Sequence, residues 1–549
     1  MKCPSAVLLL LSAACTLEAA EAPRTLRLNR AAFEDKALAI WTSQIIAVTM
    51  GFPFEHKPAS VLFVDHIPKH YDYAPVDDDW YYEIVMLRAL EKYGPAMTLE
   101  QLGRQWLENS AGTWASAEQA RVNLARGVVA PQSGHPRFNR LWLTVNHCRG
   151  DLFGMLAPGM PYLAARLARH YSHLTSYAEA ADGTALVAAM VSLGFVETDP
   201  REIVKKAARV LDPASPHRQM LDEAIAMAEQ GKTFHQVAGR IEDRWRIEYP
   251  ASNNAVANGG IAAMALYFGG GDYLKTLNLA YSAADFTDAD CNGAAAASVI
   301  AAMRGMTALP PDLVPIWKDR IVGDKLGDVP LTPPLDERIS DLARRTVAQS
   351  YKVLAHHASI RAEGEVLPVG VEEPKALPPE LFHPNQLTAF WDAEWTLERA
   401  GYGGPGGGVR NLRGGSFVDG EVLATYPRDE VRGLLLRRSV NLGKNAVLSL
   451  RVAADPGRAW QLTVYADNDK VLDRVIDGGP QVEWKDLPTL SYAYNDYVLA
   501  SQNRKWHDIE AALGQFAGKR VLIRMFQTVL VRDKVPGNAY WRYARVESR

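Results

Sequence analysis

The stretch Asp285-Phe286-Thr287-Asp288-Ala289-Asp290-Cys291-Asn292 runs straight into Gly293-Ala294-Ala295-Ala296-Ala297. An acidic run passing into alanines predicts a helix start, because carboxylates are favoured at the positive end of the helix dipole. Side chains as small as those from Gly293 to Ala297 let such a helix approach its neighbours closely. At this point the carboxylates have two readings, a solvated helix start or a set of hard oxygen ligands for a cation.

A second acidic run, Asp77-Asp78-Asp79, stands just ahead of the helix-like Trp80-Tyr81-Tyr82-Glu83-Ile84-Val85-Met86-Leu87. Alone it has the same two readings. Together, carboxylates at two helix starts suit Mg²⁺ or Ca²⁺, which take oxygen ligands, better than Zn²⁺, whose sites favour His and Cys.

Outward from these runs, the pattern from Phe33 to Lys352 is mainly helical. Leu163, Leu167 and His170 fall at helical spacing after Pro161, a residue well tolerated at a helix start. The run Ala185-Leu186-Val187-Ala188-Ala189-Met190-Val191 is apolar on nearly every side, which predicts a helix buried among others. Further helical runs lie at 202–210, 220–230, 260–267 and 294–303, and nothing between them alternates with period two over a useful length. Residues 30–360 are therefore expected to form an all-α domain.

The texture changes at 361–384, where Val371-Glu372-Glu373-Pro374-Lys375-Ala376-Leu377-Pro378-Pro379-Glu380 predicts a linker. Beyond it come short strand-like pieces, Val447-Leu448-Ser449-Leu450-Arg451-Val452, Trp460-Gln461-Leu462-Thr463-Val464-Tyr465 and Val521-Leu522-Ile523-Arg524-Met525-Phe526. In the second, Trp460, Leu462 and Val464 share one face, as a half-buried strand requires. Residues 385–549 are expected to form a β-sandwich, which resembles galactose-binding-like or lectin-type modules. Its Trp391, Trp395, Trp460 and Trp541 are read either as core residues or as a platform for a carbohydrate ligand. The run Gly403-Gly404-Pro405-Gly406-Gly407-Gly408 has no Lys-Ser/Thr after it and reads as a loop rather than a phosphate cradle.

The chain's 549 residues are too many for one ordinary core. Its 48% hydrophobic and 22% charged composition is that of globular proteins. A net charge of -3 offers no positive field for a phosphate backbone, so no nucleic-acid partner is expected. Lys2 and the short apolar run from Ala6 to Ala14 make residues 1–20 an expected export signal. That run is too short for a membrane span, and Glu18 and Glu21 break any apolar extension of it. Cys15 has only a vague likeness to a lipid attachment site. Removing Cys3 and Cys15 with the signal leaves Cys148 and Cys291, read as buried free thiols in preference to a bridge.

The second acidic run resembles the C-terminal metal signature of the ADP-ribosylglycohydrolase family, D-T-D-T/C-N followed by small residues, when the run is taken as Asp288-Ala289-Asp290-Cys291-Asn292 with Ala289 in place of Thr. Asp77-Asp78-Asp79 is similar to that family's N-terminal acidic motif, in a register that leaves open which two of the three form the metal pair. Gln44-Ile45-Ile46 and Gly51-Phe52-Pro53-Phe54-Glu55 resemble its opening helix and G-x-P-x-E turn, which would make Glu55 the active-site glutamate. Arg149-Gly150-Asp151-Leu152-Phe153-Gly154, with Pro158-Gly159, resembles a substrate-side loop. The likeness spans roughly residues 34 to 306. It departs from the family at Phe286 and Thr287, where two glycines are usual, and at Ser172-His173-Leu174-Thr175-Ser176, where the family histidine is out of register.

The resemblance implies hydrolysis of a glycosidic bond at the anomeric carbon of ADP-ribose or a related ribosyl group. It implies two Mg²⁺ ions, with Mn²⁺ or Ca²⁺ as alternatives, held by Asp77, Asp78, Asp79, Asp288 and Asp290. Glu55 and Asp78 are the expected catalytic groups, and Asp151, Gly154, Asn258 and Asn292 the expected substrate-binding ones. Two other readings stand beside it: a secreted glycoside hydrolase acting on an extracellular glycan, and a binding protein without activity.

Overall fold

The computed structural model describes residues 24–139, 141–246, 253–380, 387–398, 417–425, 434–481 and 504–548. Residues 1–20 with Cys3 and Cys15, the Gly403 to Gly408 run, and positions 381–384 lie outside the described residues.

The first unit opens with β1 (Thr25–Asn29) and continues through α1 (Arg30–Gly51), α2 (Asp78–Tyr93), α3 (Leu99–Glu108), α4 (Ala115–Ala125), α5 (Gly150–Leu156), α6 (Pro161–Ser172) and α7 (Ala178–Gly194). Then come α8 (Pro200–Ala208), α9 (Pro216–Glu229), α10 (Phe234–Arg240), α11 (Ala255–Gly269), α12 (Tyr273–Tyr281) and α13 (Ala289–Arg304). The unit ends with β2 (Arg320–Leu326), β3 (Val329–Arg338), α14 (Ile339–Ala358) and β4 (Val366–Gly370).

The centre of this unit is built from helices that have no polar face. Every residue of α7 is buried, as its all-round apolar sequence predicts. The alanine-rich α13 is buried from Ala289 to Ala302. The segment Arg30–Phe54 is apolar enough to cross a membrane by length and composition, but its most apolar stretch is 72% buried within the fold. Trp41 Nε1 donates to Thr346 Oγ1 on α14 at 3.1 Å and Tyr281 Oη to Ala47 O at 2.6 Å, which ties α1 to both neighbours.

Two strand pairs depart from the all-α expectation. β2 and β3 form an antiparallel hairpin, where only Ile321, Leu326, Leu331 and Leu335 face the core and Pro330, Pro333 and Pro334 break the alternating pattern. The stretch read as a linker is not an exposed spacer over its described part. Its β4 pairs antiparallel with β1, and Leu367, Val369 and Leu377 are buried in the helical core. Leu377 N donates to Val210 O at 2.8 Å, and Leu163 N to Glu372 Oε2 at 3.0 Å. Pro368 hid the strand, since proline interrupts a ladder but is tolerated on a two-stranded ribbon.

The C-terminal region opens with a short α15 (Leu387–Trp391) and contains β5 (Thr396–Glu398), β6 (Phe417–Asp419), β7 (Val422–Thr425), β8 (Leu434–Asn441) and β9 (Ala446–Ala454). It continues through β10 (Ala459–Ala466), β11 (Asp469–Asp477), β12 (His507–Ala512), β13 (Arg520–Thr528) and β14 (Ala539–Ser548). Two five-stranded sheets, ordered β11-β10-β13-β8-β5 and β12-β9-β14-β7-β6, pack as a sandwich. Trp460, Leu462 and Val464 are fully buried, as the alternation on β10 required. Trp395, Trp460 and Trp541 are also core residues, with their ring N–H groups donating to Ala544 O, Ala453 O and Thr425 Oγ1. These three therefore offer no face on which a sugar stacks. The sandwich meets the helical unit through Arg126 Nη2 to Asp419 Oδ1 at 3.1 Å and Arg137 Nε to Gly420 O at 3.0 Å. Leu141 packs there with Val422, Ala424 and Tyr540.

Candidate metal and active site

Both acidic runs sit where their local sequence puts them, at helix starts. Asp77 is the N-cap of α2 and accepts from Asp79 N at 3.1 Å. Asp288 is the N-cap of α13, and Asp290 lies in its first turn. The tertiary fold turns the two starts towards each other. Cys291 Sγ donates to Asp79 Oδ1 across 2.9 Å, joining one run to the other.

Between them lies a cavity of about 270 Å³ lined by Glu55, Asp77, Asp78, Asp79, Asp288, Asp290 and Cys291, with Phe52, His56, Trp114, Arg149 and Asn253 among the other walls. Glu55 arrives at the end of the short 3₁₀ turn Phe52–Phe54. That turn fits because Gly51 has no side chain: a Cβ there would stand 2.6 Å from Asp290 Cα and 2.8 Å from Tyr281 Cε1. The turn is fastened to the loop before α13 by His56 N to Thr287 O at 2.8 Å and Phe286 N to Lys57 O at 2.7 Å. Phe286 holds φ at 62°, a left-handed backbone normally left to glycine.

Burial dominates the electrostatics, and neighbouring carboxylates add to it at Glu55, Asp77 and Asp290. Burial, then Asp290, Asp78 and Asp77, push Glu55 up to about 10. Burial and the adjacent Asp78 raise Asp77 to about 7. Asp78 is raised to about 6 by burial, with the Arg149 guanidinium pulling the other way. Asp290 is held well above the carboxylate range by burial, Asp288 and Asp77. Its Oδ1 is buried and has no hydrogen-bond partner among the described residues. One ligand atom each from Asp288, Asp290 and Cys291 lie within 4.8 Å of one another. A divalent cation fits this donor set, since it would relieve the repulsion and take the orphaned oxygen.

The structure thus brings Glu55, Asp77, Asp78, Asp79, Asp288 and Asp290 together, and it leaves the four expected substrate-binding residues off the cavity wall. Asn258 Oδ1 accepts from Asp288 N at 3.0 Å and from Asn292 Nδ2 at 2.9 Å, so this pair sets the start of α13 from behind. Asp151 is fully buried and accepts from Gln44 Nε2 at 2.7 Å and Ser298 Oγ at 2.5 Å. Gly154 is a packing residue, because a Cβ there would meet Val191 Cβ at 2.5 Å on α7. His173 is engaged with Glu380 at 2.9 Å, and Ser176 is buried beside Thr175; neither lines the cavity.

Three wall residues were given no role by the sequence. Arg149 is the one guanidinium or ammonium among the described lining residues. It lies 4.4 Å from the Tyr82 ring centroid and donates to Thr175 Oγ1 at 2.8 Å. Asn253 Nδ2 donates to Asp288 Oδ2 at 3.0 Å and meets His56 Nε2 at 3.2 Å. Arg149 opens the segment that resembles a substrate loop and was the findable one; nothing local marks Asn253 or His56.

A family model described as ADP-ribosylglycohydrolase matches residues 29–352, more than half of the chain. No curated protein shows significant similarity. Among solved structures, one described as an ADP-ribosylglycohydrolase-related protein complex aligns at 16% identity and a TM-score of 0.36, over 58% of this chain and 99% of that one. A family GH115 4-O-methyl-alpha-glucuronidase with specificity for decorated arabinogalactans aligns at 11% identity and a TM-score of 0.16, over 70% of this chain and 42% of that one. Neither superposition is close enough to bear on the reaction. The family match covers α1 through most of α14 and includes both acidic runs and Glu55, and on that ground this chain belongs to the ADP-ribosylglycohydrolase family.

Proposed function

We propose that the protein is a divalent-cation-dependent hydrolase cleaving a glycosidic bond at the anomeric carbon of an ADP-ribosyl or related ribosyl substrate. The observation that carries this reading is the convergence of Glu55, Asp77, Asp78, Asp79, Asp288 and Asp290 on one cavity. Asp78, Asp79, Asp288 and Asp290 are the groups to hold the cation, Mg²⁺ first and Mn²⁺ or Ca²⁺ as substitutes. Bound divalent cations orient sugar hydroxyls and lower the pKa of bound water.

The chain's own groups account for the rest. Glu55 stands at the cavity with its side chain 31% exposed, so it reaches both the carboxylates and an entering substrate. Its raised pKa lets it hold a proton at Oε when the cavity is uncompensated, and a carboxylate so placed can exchange that proton with water or a leaving group. Asp78 is the second catalytic group, kept closer to its ionised form by Arg149. Trp114, Val145 and Phe52 supply apolar parts of the cavity wall.

The expected export through residues 1–20 directs the substrate search beyond the cytosol as well as within it. The experiment is product analysis after incubating the purified chain with ADP-ribosylated peptide, small ADP-ribosyl compounds and a glycan panel, with Mg²⁺ or with chelator. Release of ADP-ribose or ribosyl product that stops with chelator is expected. Cleavage that persists in chelator would point to a metal-free pair of carboxylates and sink the proposal.

A further inference from the structure

We infer that the loop tip Val61-Leu62-Phe63 is a membrane-docking element, which inserts into the surface of a bilayer containing anionic lipid and holds the chain there. The inference goes beyond the proposed reaction and does not rest on it. Soluble folds expose large apolar residues singly, and a contiguous group of them marks a contact surface. Here three stand in succession with 94%, 77% and 63% of their surface exposed. No other three successive large apolar residues are exposed among the described residues.

The tip is fastened at both ends. On its approach Ala59 N donates to Asp285 Oδ1 at 2.8 Å and Ser60 N to Tyr281 O at 2.9 Å. On its return Val64 N donates to Asn278 Oδ1 at 2.6 Å, and Val64 O accepts from Asn278 Nδ2 at 2.8 Å. Ser60 Oγ closes the turn on Leu62 O at 2.8 Å. Val64, Ile67 and Tyr71 of the same loop pack on the helical core. The loop thus turns some of its apolar residues inward and holds these three out.

Size and charge choose the occupant. Three side chains fall well short of the roughly 800 Å² that each partner buries in a stable protein complex. A bilayer interface accepts a small apolar tip, and binding grows with the apolar area buried. The flanks suit head groups. Lys57 and Lys69 are exposed and make no ion pair among the described residues; their ammonium groups lie over the Phe52 and Tyr71 rings at 5.0 and 5.1 Å. The loop's acids are engaged, Asp65 with His66 at 2.8 Å and Asp72 with Lys318. The two lysines are then the charges left to meet anionic lipid, and Tyr73, 44% exposed, adds a ring of the kind favoured at a membrane interface. Glu55 stands six residues before Val61, so chain length keeps the cavity within about 20 Å of the tip.

The test is co-sedimentation of the full chain with vesicles of phosphatidylcholine alone and of phosphatidylcholine with phosphatidylglycerol. Wild type and variants share residues 1–20, so the difference between them isolates the loop. Wild type is expected to pellet with the mixed vesicles, and the double variant Leu62→Ser, Phe63→Ser to bind them about tenfold weaker or less. Lys69→Gln should weaken binding to the mixed vesicles and leave binding to phosphatidylcholine unchanged. Equal binding by wild type and the double variant, or none by wild type, overturns the inference. So does a wild-type dimer in sedimentation velocity that the double variant lacks, because a second copy would then be the occupant. Should the double variant fail to fold, amide hydrogen exchange in wild type decides: slowing at 60–64 on the mixed vesicles supports insertion, and no slowing overturns it. None of these readouts depends on the reaction, so the failure of either proposal leaves the other standing.

Discussion

Two groups of buried carboxylates lie in the helical unit, and they differ in what faces them. At the cavity, Asp290 Oδ1 has no partner among the described residues, and Glu55, Asp77, Asp78 and Asp290 are raised chiefly by burial. Behind it, Glu83 of α2 and Asp151 of α5 share the Gln44 amide of α1 at 3.0 and 2.7 Å. Asp151 also takes Ser298 Oγ of α13, and Glu83 takes Leu152 N at 2.9 Å. Burial raises Asp151 to about 7, close to Asp77, so the direction of a pKa does not separate the two groups. Placement does. The rear group ties four helices together, whereas the front group lines the cavity in which the proposed cation would bind.

The largest expected effect comes from Asp290→Ala. Loss of a metal-facing carboxylate should cost about 4 kcal/mol of transition-state stabilisation, roughly a thousandfold in rate. Stability without metal should move by no more than ~1 kcal/mol, as removing one of several like charges leaves no cavity in the core. Wild type should gain about 2.7 kcal/mol at a hundredfold excess of Mg²⁺ over Kd, and the variant much less. Paired melting curves and rates measure this. Retention of both activity and the Mg²⁺ shift would make Asp290 an ordinary helix-start residue and erase the contrast.

Asp151→Ala should behave in the opposite way. It strands one N–H of the Gln44 amide, whose other stays with Glu83, and the Ser298 hydroxyl, so the chain should lose about 3 kcal/mol of stability with or without Mg²⁺. Chemical denaturation checks it. If the loss instead appears only with Mg²⁺ present, Asp151 belongs with the front group.

Gly51→Ala joins the two effects at smaller size. Its methyl would press on Asp290 Cα and Tyr281, at a cost of about 1–3 kcal/mol as α13 shifts, and the Mg²⁺ shift should shrink with it. An unchanged melting curve would show that the 3₁₀ turn relaxes freely.

The smallest expected effect is the pH dependence of the metal-free protein. Asp77 and Asp78 have folded pKa values of about 7 and about 6, above the ordinary aspartate value of 3.8. The folded state therefore binds more protons than the unfolded one between those limits. The stabilisation is full below about pH 4 and is lost as pH rises through 6 and 7. Saturating divalent cation, which competes with those protons, should flatten the fall. A metal-free melting temperature that rises across this interval would contradict the electrostatic account of the cavity.

The sequence alone determined the two-part architecture, the helix starts at Asp77 and Asp288, the burial of α7, and the alternation of β10, because each is a local property of spacing and chain direction. It also marked Glu55 and both acidic runs. Only the tertiary structure decided that Asp151, Gly154, Asn258 and Asn292 stand behind the cavity, that the Cys291 sulfur joins the carboxylates, and that 366–370 is a strand on β1. The reason is physical. Helices such as α7 and α13 are buried on nearly every side, so no apolar period tells which face meets a cavity and which meets another helix. Where a carboxylate ends is then set by its tertiary neighbours: Gln44 and Ser298 donate to Asp151 Oδ2 among packed helices, while Asp290 lines the cavity.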